Sequence, residues 1–137
     1  MRTAALILTL LATPAWATPQ AQVNAALRAD PAIWGTMQAM AIAREIDRRC
    51  DSIEGRSLRA RAQLLSLYNR ARGMGFTRAQ IEGFIDDEAE KARLRAEVLG
   101  WFGSRGLAAD APAEGFCALG RAEIAAGTPA GSYLRAR

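Results

Sequence analysis

This sequence contains almost no pattern typical of β-strands. It has no long run in which β-branched or aromatic residues alternate with polar ones, and no Asn-Gly or Asp-Gly pair that would mark a hairpin. Alanine, leucine, arginine, glutamate and glutamine dominate instead, and these residues favour helices. The sequence therefore predicts an all-α fold, a single compact bundle of four to five helices.

Local signals predict where the first helices begin and end. Asp30 followed by Pro31 is typical of a helix start, because aspartate caps free backbone N–H groups and proline fits the first helical position. This helix is expected to end at about Arg49, and residues 20–29 are a candidate short helix before it. A second helix is predicted over 58–72, and the residues assigned to its apolar face are Leu58, Ala62, Leu64, Leu65, Leu67, Tyr68 and Ala71.

The stretch FTRAQI, residues 76–81, carries the signals of another helix start. Thr77 and Gln80 have the spacing of a capping box, and the flanking Phe76 and Ile81 have that of a hydrophobic staple. An apolar stripe continues to residue 102, which would make a helix about 39 Å long. Because that is long for so small a domain, we predict a kink or break near 86–88.

The C-terminal part is predicted to hold one more main helix and a final short one. Gly and Pro residues mark 103–114 as a loop, and the segment from Phe116 to Ile124 then has helical spacing, with Gly127 as its terminator. Thr128-Pro129 repeats the combination of a cap and a proline. We therefore expect a last short helix over 129–134.

The N-terminal residues have the features of a secretory signal peptide. Arg2 precedes the apolar run AALILTLLA, Pro14 breaks this run, and Ala15 and Ala17 are the small residues that signal peptidase reads. The run is far shorter than the roughly 20 residues that span a bilayer. We expect cleavage of residues 1–17, a single helical domain over 18–137, and a soluble periplasmic or secreted protein.

Two cysteines, Cys50 and Cys117, follow the predicted signal. In an oxidising compartment an even number favours one intramolecular disulfide bond, and two free buried thiols are the alternative. A bond between them would close a long loop and stabilise the fold by roughly 4 kcal/mol in the chain-entropy account.

The chain contains no histidine. This excludes Ser-His-Asp and Cys-His catalytic sites and most zinc and transition-metal sites, and no nucleotide-binding or nucleophile-elbow motif is present. We therefore predict no catalytic residue, no metal ligand and no cofactor. Glu82, Asp86 and Glu90, spaced by four, are interpreted as a solvated helix face; a cation-binding patch or the carboxylate pair of a hydrolase is the alternative.

Arginines are concentrated in one part of the chain. Residues 44–78 hold nine arginines against four carboxylates, a local net charge of +5, whereas 79–90 hold five carboxylates and no base. These two segments either pair with each other or recognise charged partners. The aromatic residues Trp34, Trp101, Phe102 and Tyr133 are expected to fill the core, and capping a binding groove is the alternative; among them, Trp101 and Phe102 are the pair more expected to be exposed, because they lie at a helix end. The candidate interaction surface comprises Arg44, Arg48, Arg56, Arg59, Trp101, Phe102, Arg121 and Glu123.

Three segments, REIDRRC (44–50), RARGMGFTRAQIEGFI (70–85) and FCALGRAEIAAGTPAGSYLR (116–135), together resemble an uncharacterised family. It is a domain-of-unknown-function family of small secreted alphaproteobacterial, Rhodobacter-type, proteins. The resemblance implies a secreted bacterial origin and pairing of Cys50 with Cys117. It implies no activity.

The function expected from these observations is that of a non-enzymatic periplasmic binding or interaction protein. A chaperone-like role is one form that such an interaction would take. Its partner would be a protein of the cell envelope. The first alternative is an envelope module that binds anionic lipid through the arginines of 44–78, and the second is a carboxylate-dependent hydrolase. Nucleic acid is not an expected partner, because carboxylates are mixed among the arginines and the net charge is only +4.

Overall fold

The structure, a computed structural model, describes residues 17–137. The predicted signal segment lies outside the described residues, apart from Ala17. The helices are α1 (Gln20–Ala29), α2 (Pro31–Arg49), α3 (Ser57–Gly73), α4 (Arg78–Asp86), α5 (Glu88–Gly103) and α6 (Ala113–Ala126). Two short strands, β1 (Ile53–Gly55) and β2 (Leu134–Ala136), and a 3-10 turn at Gly131–Tyr133 complete the order.

The predicted helical fold class is confirmed, with six α-helices in the described residues instead of four to five. The two sources of additional helices are the candidate helix over 20–29, which forms α1, and the predicted break near 86–88, which separates α4 from α5. Within residues 17–137, no helix combines the length and the apolar character needed to cross a membrane.

Helix α2 lies at the centre of the fold. Its start is the predicted one: the Asp30 side chain accepts hydrogen bonds from the backbone N–H groups of Ala32 and Ile33, at 2.9 and 3.2 Å. The helix then contacts α1, α3, α5, α6, β1 and the 3-10 turn. Because it packs on so many elements, α2 contributes buried side chains to both hydrophobic cores described next.

The buried side chains form two clusters. The larger one joins α2, α5, α6 and the C-terminal segment, and it includes Ile42, Ile46, Phe102 and Phe116. The smaller one joins α1, the start of α2, α3 and α4, and its members are Val23, Leu27, Ile33, Leu67, Ala71, Ile81 and Phe84. The α1–α4 side of the molecule therefore has a core of its own.

Helices α4 and α5 are separated by a single residue. Thr77 and Gln80 form both hydrogen bonds of the predicted capping box. Asp87 is extended, with φ −64° and ψ 119°, and its side chain accepts a hydrogen bond of 2.9 Å from the Glu90 N–H. Asp87 thus ends α4 and caps α5, which is the physical reason for the break.

The disulfide bond joins the centre of the fold to its C-terminal part. Cys50 caps the end of α2 and is bonded to Cys117 on α6, as predicted. Next to it, β1 pairs antiparallel with β2, with Ile53 opposite Ala136. This pairing was not predicted, because three-residue strands are too short to show alternation. The prediction of a short helix over 129–134 is wrong in length. The structure has a three-residue 3-10 turn there, and this turn leads into β2.

Helix α3 packs on the fold through only part of the predicted apolar face. Its buried residues are Leu67 and Ala71, whereas Leu58 and Leu65 are exposed. The predicted face joined two apolar stripes that point to opposite sides of the helix, and only the stripe with Leu67 and Ala71 meets the core. The helix therefore carries leucines on its outer surface.

Replacing Gly131 with alanine is expected to lower the free energy of unfolding by about 1–3 kcal/mol, as overpacking does elsewhere. A Cβ atom at this position would overlap the backbone carbonyl of Glu123, so α6 or the C-terminal segment must shift. Chemical denaturation monitored by circular dichroism measures the change.

The matched control is Gly35→Ala in the second turn of α2, where a Cβ atom meets nothing within 4 Å. Alanine has the higher helix propensity, so this variant is expected to be more stable by about 0.5–1 kcal/mol. Equal stability of the two variants would contradict the close approach at Gly131.

Candidate functional site

The eight residues of the candidate interaction surface lie in several places. Arg44 and Arg56 are exposed and line one groove between α2 and α3, and Arg59 is exposed on the first turn of α3. Arg48 pairs with Glu45 of its own helix at 3.0 Å. The structure therefore brings three of the predicted arginines to one side, around the start of α3.

Phe102 and Glu123 correct the predicted surface, because both are buried. Phe102 is 2% exposed and its ring centroid lies 5.3 Å from that of Phe116 in the larger core. Glu123 is 8% exposed and its carboxylate accepts a hydrogen bond from the Thr128 hydroxyl. Trp101, by contrast, is half-buried, and it lines the same cleft as Glu123.

The remaining predicted residue, Arg121, has an ordinary surface role. It is exposed on α6 and pairs with Glu114, two turns further towards the start of the helix, at 2.9 Å. Although Arg121 and Glu123 are only two residues apart in sequence, they point to different environments, as residues at this spacing on a helix do.

The outer face of α3, which we define by Leu58, Leu65, Arg59, Arg61 and Arg72, combines apolar and basic side chains. Leu58 is 78% exposed and Leu65 is 61% exposed. They lie seven residues apart and thus on one face, and the helical spacing places Arg61 and Arg72 on one side of them and Arg59 on the other. No carboxylate occurs between Glu54 and Glu82 in the sequence.

The arginines of this face have no carboxylate partner. Among the described residues, no carboxylate oxygen lies within 4.0 Å of Arg59, Arg61 or Arg72. Arg59 lies 5.9 Å from the centroid of the Tyr133 ring, and Arg72 donates to the Phe76 carbonyl at 3.1 Å. The outer face of α3 therefore presents uncompensated positive charge.

Arg70 is the exception on this helix. It pairs at 2.9 Å with Asp30, the cap of α2. Desolvation raises the pKa of Asp30, but the hydrogen bonds from Arg70 and from two backbone N–H groups outweigh it and hold that pKa below its ordinary value. This contact fastens the end of α3 to the start of α2.

The predicted row of carboxylates is divided by the break at Asp87. Glu82 and Asp86 are exposed on α4, whereas Glu90 is buried on α5 and pairs with Arg28 of α1. The three do not form one solvated face, so that interpretation is wrong for Glu90. The sequence predicted that Glu90 lies near a break in the helix, but not that it pairs with Arg28 of α1.

Two clefts flank α2. The larger, about 720 Å³, lies between α2, the end of α5 and the 3-10 turn, and Glu123 is its single carboxylate. The smaller, about 450 Å³, is the mostly apolar groove between α2 and α3, where Asp47 is the single carboxylate. Neither cleft brings together the two carboxylates that the hydrolase alternative needs.

Sequence reasoning missed Arg105 and Thr128 as parts of the larger cleft. Arg105 lies over the Trp101 ring, 3.6 Å from its centroid, and Thr128 fixes the Glu123 carboxylate. The contact between Trp101 and Arg105 was detectable from the sequence, because the two residues are four apart at the end of a predicted helix. The Glu123–Thr128 contact depends on how the chain turns after Gly127, which adopts a left-handed conformation with φ +61°.

Comparison with known proteins gives one match. No curated protein and no solved structure matches the chain significantly. A family model described as a family of unknown function, DUF5333, matches residues 25–135, which include both cysteines, α3 and the larger cleft. The resemblance to an uncharacterised family is thereby confirmed, while the secreted alphaproteobacterial origin stays a prediction. The chain belongs to the DUF5333 family of unknown function.

Proposed function

We propose that this protein is a non-enzymatic binding protein of the cell envelope that associates peripherally with anionic lipid through the outer face of α3. The observation that carries the proposal is the pair of exposed leucines, Leu58 and Leu65, on a helix face whose arginines have no carboxylate partner in the described residues. Leucine between basic residues on one helix face is typical of helices that lie in a membrane interface.

The apolar part of this face supplies the insertion energy. A leucine side chain that moves from water into an apolar phase gains roughly 1.5–3 kcal/mol when it is fully buried. Leu58 and Leu65 are available for such a transfer because α3 packs on the fold through its other side, with Leu67 and Ala71. Binding therefore requires no rearrangement of the core.

The basic part supplies attraction and orientation. An arginine near an anionic bilayer surface contributes about 1 kcal/mol to binding. Arg59, Arg61 and Arg72 flank the leucines, so their long side chains can reach the headgroups while the leucines enter the bilayer. Arg44 and Arg56, at the groove beside α3, extend the same positive surface.

The composition of the face favours a lipid over a protein partner. Protein interfaces concentrate their binding energy in Trp, Tyr and Arg, and leucine is under-represented among such residues. Every aromatic side chain within residues 17–137 is buried or half-buried, so the α3 face offers leucine and arginine without an exposed aromatic anchor. A protein partner in the envelope is the competing outcome in the test below.

The disulfide bond supports the proposed location. Disulfides form and persist in the periplasm and outside the cell, where the thiol-reducing systems of the cytosol are absent. The Cys50–Cys117 bond and the predicted signal segment together favour a periplasmic or secreted protein, which would meet anionic lipid at the membrane surface.

Removing two charges from the α3 face is expected to weaken binding to vesicles about 30-fold, since two arginines contribute about 2 kcal/mol. The variant is Arg61→Gln/Arg72→Gln, and the measurement is co-flotation with phosphatidylglycerol vesicles at low salt. The matched control, Arg95→Gln/Arg121→Gln, removes two exposed charges from other helices and is expected to bind within about twofold of the unmodified protein. Salt should weaken binding, because it screens exposed charges.

Removing the apolar side chains tests insertion separately. Leu58→Ser/Leu65→Ser is expected to reduce binding by about tenfold or more, and Ile85→Ser/Leu99→Ser, which alters two exposed apolar residues elsewhere, is expected to leave it unchanged. Failure of the unmodified protein to float with anionic vesicles would exclude the lipid proposal. If α3 variants then lost binding to an isolated envelope protein, the protein-partner alternative would take its place.

A further inference from the structure

We propose that the larger cleft binds a small molecule that carries a primary ammonium group, with the Glu123 carboxylate as its anchor. This site is separate from the outer face of α3 and does not depend on lipid binding. Its volume, about 720 Å³, is within the range of small-molecule sites.

The first argument is the missing counter-charge at Glu123. This side chain is 92% buried and lies in the last turn of α6, where the helix dipole is negative and disfavours a carboxylate. Among the described residues, no Arg or Lys nitrogen lies within 4.0 Å of it, and its one side-chain partner is the neutral Thr128 hydroxyl. A buried carboxylate in this situation is stabilised by a cation.

Glu90 shows how the same fold treats a buried carboxylate whose role is structural. It is as buried as Glu123, but it pairs with Arg28 of α1 and lies 3.8 Å from Arg93 of its own helix. It also lies near the start of its helix, where the dipole favours negative charge. Glu123 lacks all three of these compensations within residues 17–137.

The second argument is the free acceptor at Glu123. The Thr128 hydroxyl donates to Oε2, and no described residue donates to Oε1. In the described residues, Oε2 of Glu90 is the only side-chain oxygen that is both fully buried and without a hydrogen-bond partner. Because Oε1 of Glu123 also lacks a partner, it is accessible to solvent. Since Glu123 lines the larger cleft, we infer that Oε1 is open to a donor that enters there.

The surroundings of Glu123 fit an ammonium group. Thr36, Gln63 and Ser132 supply neutral polar atoms to the cleft, and Trp101 supplies an aromatic ring. Arg105, on the same cleft, is held over the Trp101 ring and donates to the Trp101 carbonyl at 3.1 Å. A ligand whose ammonium binds Glu123 could therefore also carry a carboxylate that binds Arg105, as an amino acid does, or could be a simple amine.

The test is a titration followed by amide chemical shifts, with 1,4-diaminobutane and norleucine as probes. We expect saturable binding of at least one probe at millimolar concentration, with shifts at Thr36, Gln63 and Ser132. Glu123→Gln keeps an acceptor for Thr128 and removes the charge, so it is expected to weaken binding by about tenfold or more. The matched control, Glu114→Gln, alters an exposed carboxylate of the same helix and is expected to bind like the unmodified protein.

Arg105→Gln distinguishes the two sources of the ammonium group. Norleucine binding that is weaker in this variant than in the unmodified protein identifies an amino acid as the ligand class, whereas norleucine binding that Arg105→Gln leaves unchanged, with diaminobutane binding at least as tightly, identifies a simple amine.

A second variant blocks the cleft without touching Glu123. Gly35 lines the cleft from α2, and a Cβ atom there meets nothing within 4 Å, so Gly35→Phe can place its ring in the cleft while the helix stays intact. Binding should be lost in Gly35→Phe and kept in Gly100→Phe, a matched control on α5 outside the cleft, where a Cβ atom also meets nothing within 4 Å. The proposal is overturned if neither probe binds the unmodified protein, if folded Glu123→Gln binds as well as its control, or, where Glu123→Gln does not fold, if Gly35→Phe still binds.

Discussion

Replacing both cysteines with alanine is expected to lower the free energy of unfolding by about 4 kcal/mol. Cys50 and Cys117 are 67 residues apart, so their bond removes a large part of the conformational freedom of the unfolded chain. It joins the end of α2 to α6, next to the pairing of β1 with β2. For a domain of this size the loss corresponds to a melting temperature lower by roughly 10–20 °C.

Alanine is the appropriate replacement because both positions are buried, and a serine hydroxyl there would add a desolvation cost of its own. Calorimetry of the oxidised protein and of the Cys50→Ala/Cys117→Ala variant measures the difference. Reduction of the unmodified protein with a thiol is an independent control, and it should approach the melting temperature of the variant. Equal melting temperatures in all three cases would contradict a stabilising role of the bond.

Truncating Phe102 to alanine is expected to lower the free energy of unfolding by about 3–5 kcal/mol, the usual cost of removing a buried aromatic ring. The ring packs on Phe116, which in turn lies under the Arg49 guanidinium, 4.3 Å from it. Arg49 also donates to the carbonyl groups of Ala109 and Ala111, so this cluster holds the loop before α6. The variant should therefore loosen that loop as well as the core.

Leu99→Ala is the matched control, because Leu99 lies on the same helix and is 52% exposed. It is expected to change the free energy of unfolding by less than about 0.5 kcal/mol. Urea denaturation of the two variants measures both values. A small effect of Phe102→Ala on the free energy of unfolding would contradict the burial of this ring.

The two proposed sites differ in what they require of the fold. The outer face of α3 depends on the fold only through the packing of Leu67 and Ala71 against the core. Substitutions on this face should therefore change lipid binding without changing the free energy of unfolding. The larger cleft is built from α2, α5, α6 and the 3-10 turn, and its shape depends on the close approach of Gly131 to Glu123. Disulfide loss should therefore impair the cleft before it impairs the α3 face.

Helix α3 shows where prediction from the sequence stopped. Leu58 and Leu65 repeat at helical spacing, and so do Leu67 and Ala71 on the other side. Periodicity identifies a helix with two apolar stripes, but it does not say which stripe meets the core. The absence of carboxylates between Glu54 and Glu82 was a usable signal that this helix has an unusual outer surface.

The aromatic pair at the end of α5 shows the same limit. Adjacent residues on a helix point about 100° apart, so Trp101 and Phe102 are buried to different extents although their rings are in edge-to-face contact, with centroids 5.1 Å apart. Phe102 faces Phe116, whereas Trp101 faces the larger cleft. The sequence predicted that the pair lies at a helix end, but not which ring would be buried.

By itself, the sequence determined the helices and most of their ends, because caps such as Asp30 and Thr77 act on backbone groups within three residues. It also predicted the disulfide bond. The tertiary structure alone decided the burial of Glu90 and Glu123, the β1–β2 pairing and the outward face of α3. Burial and pairing depend on segments that are distant in sequence, such as Arg28 with Glu90, and no local pattern records which segments will meet.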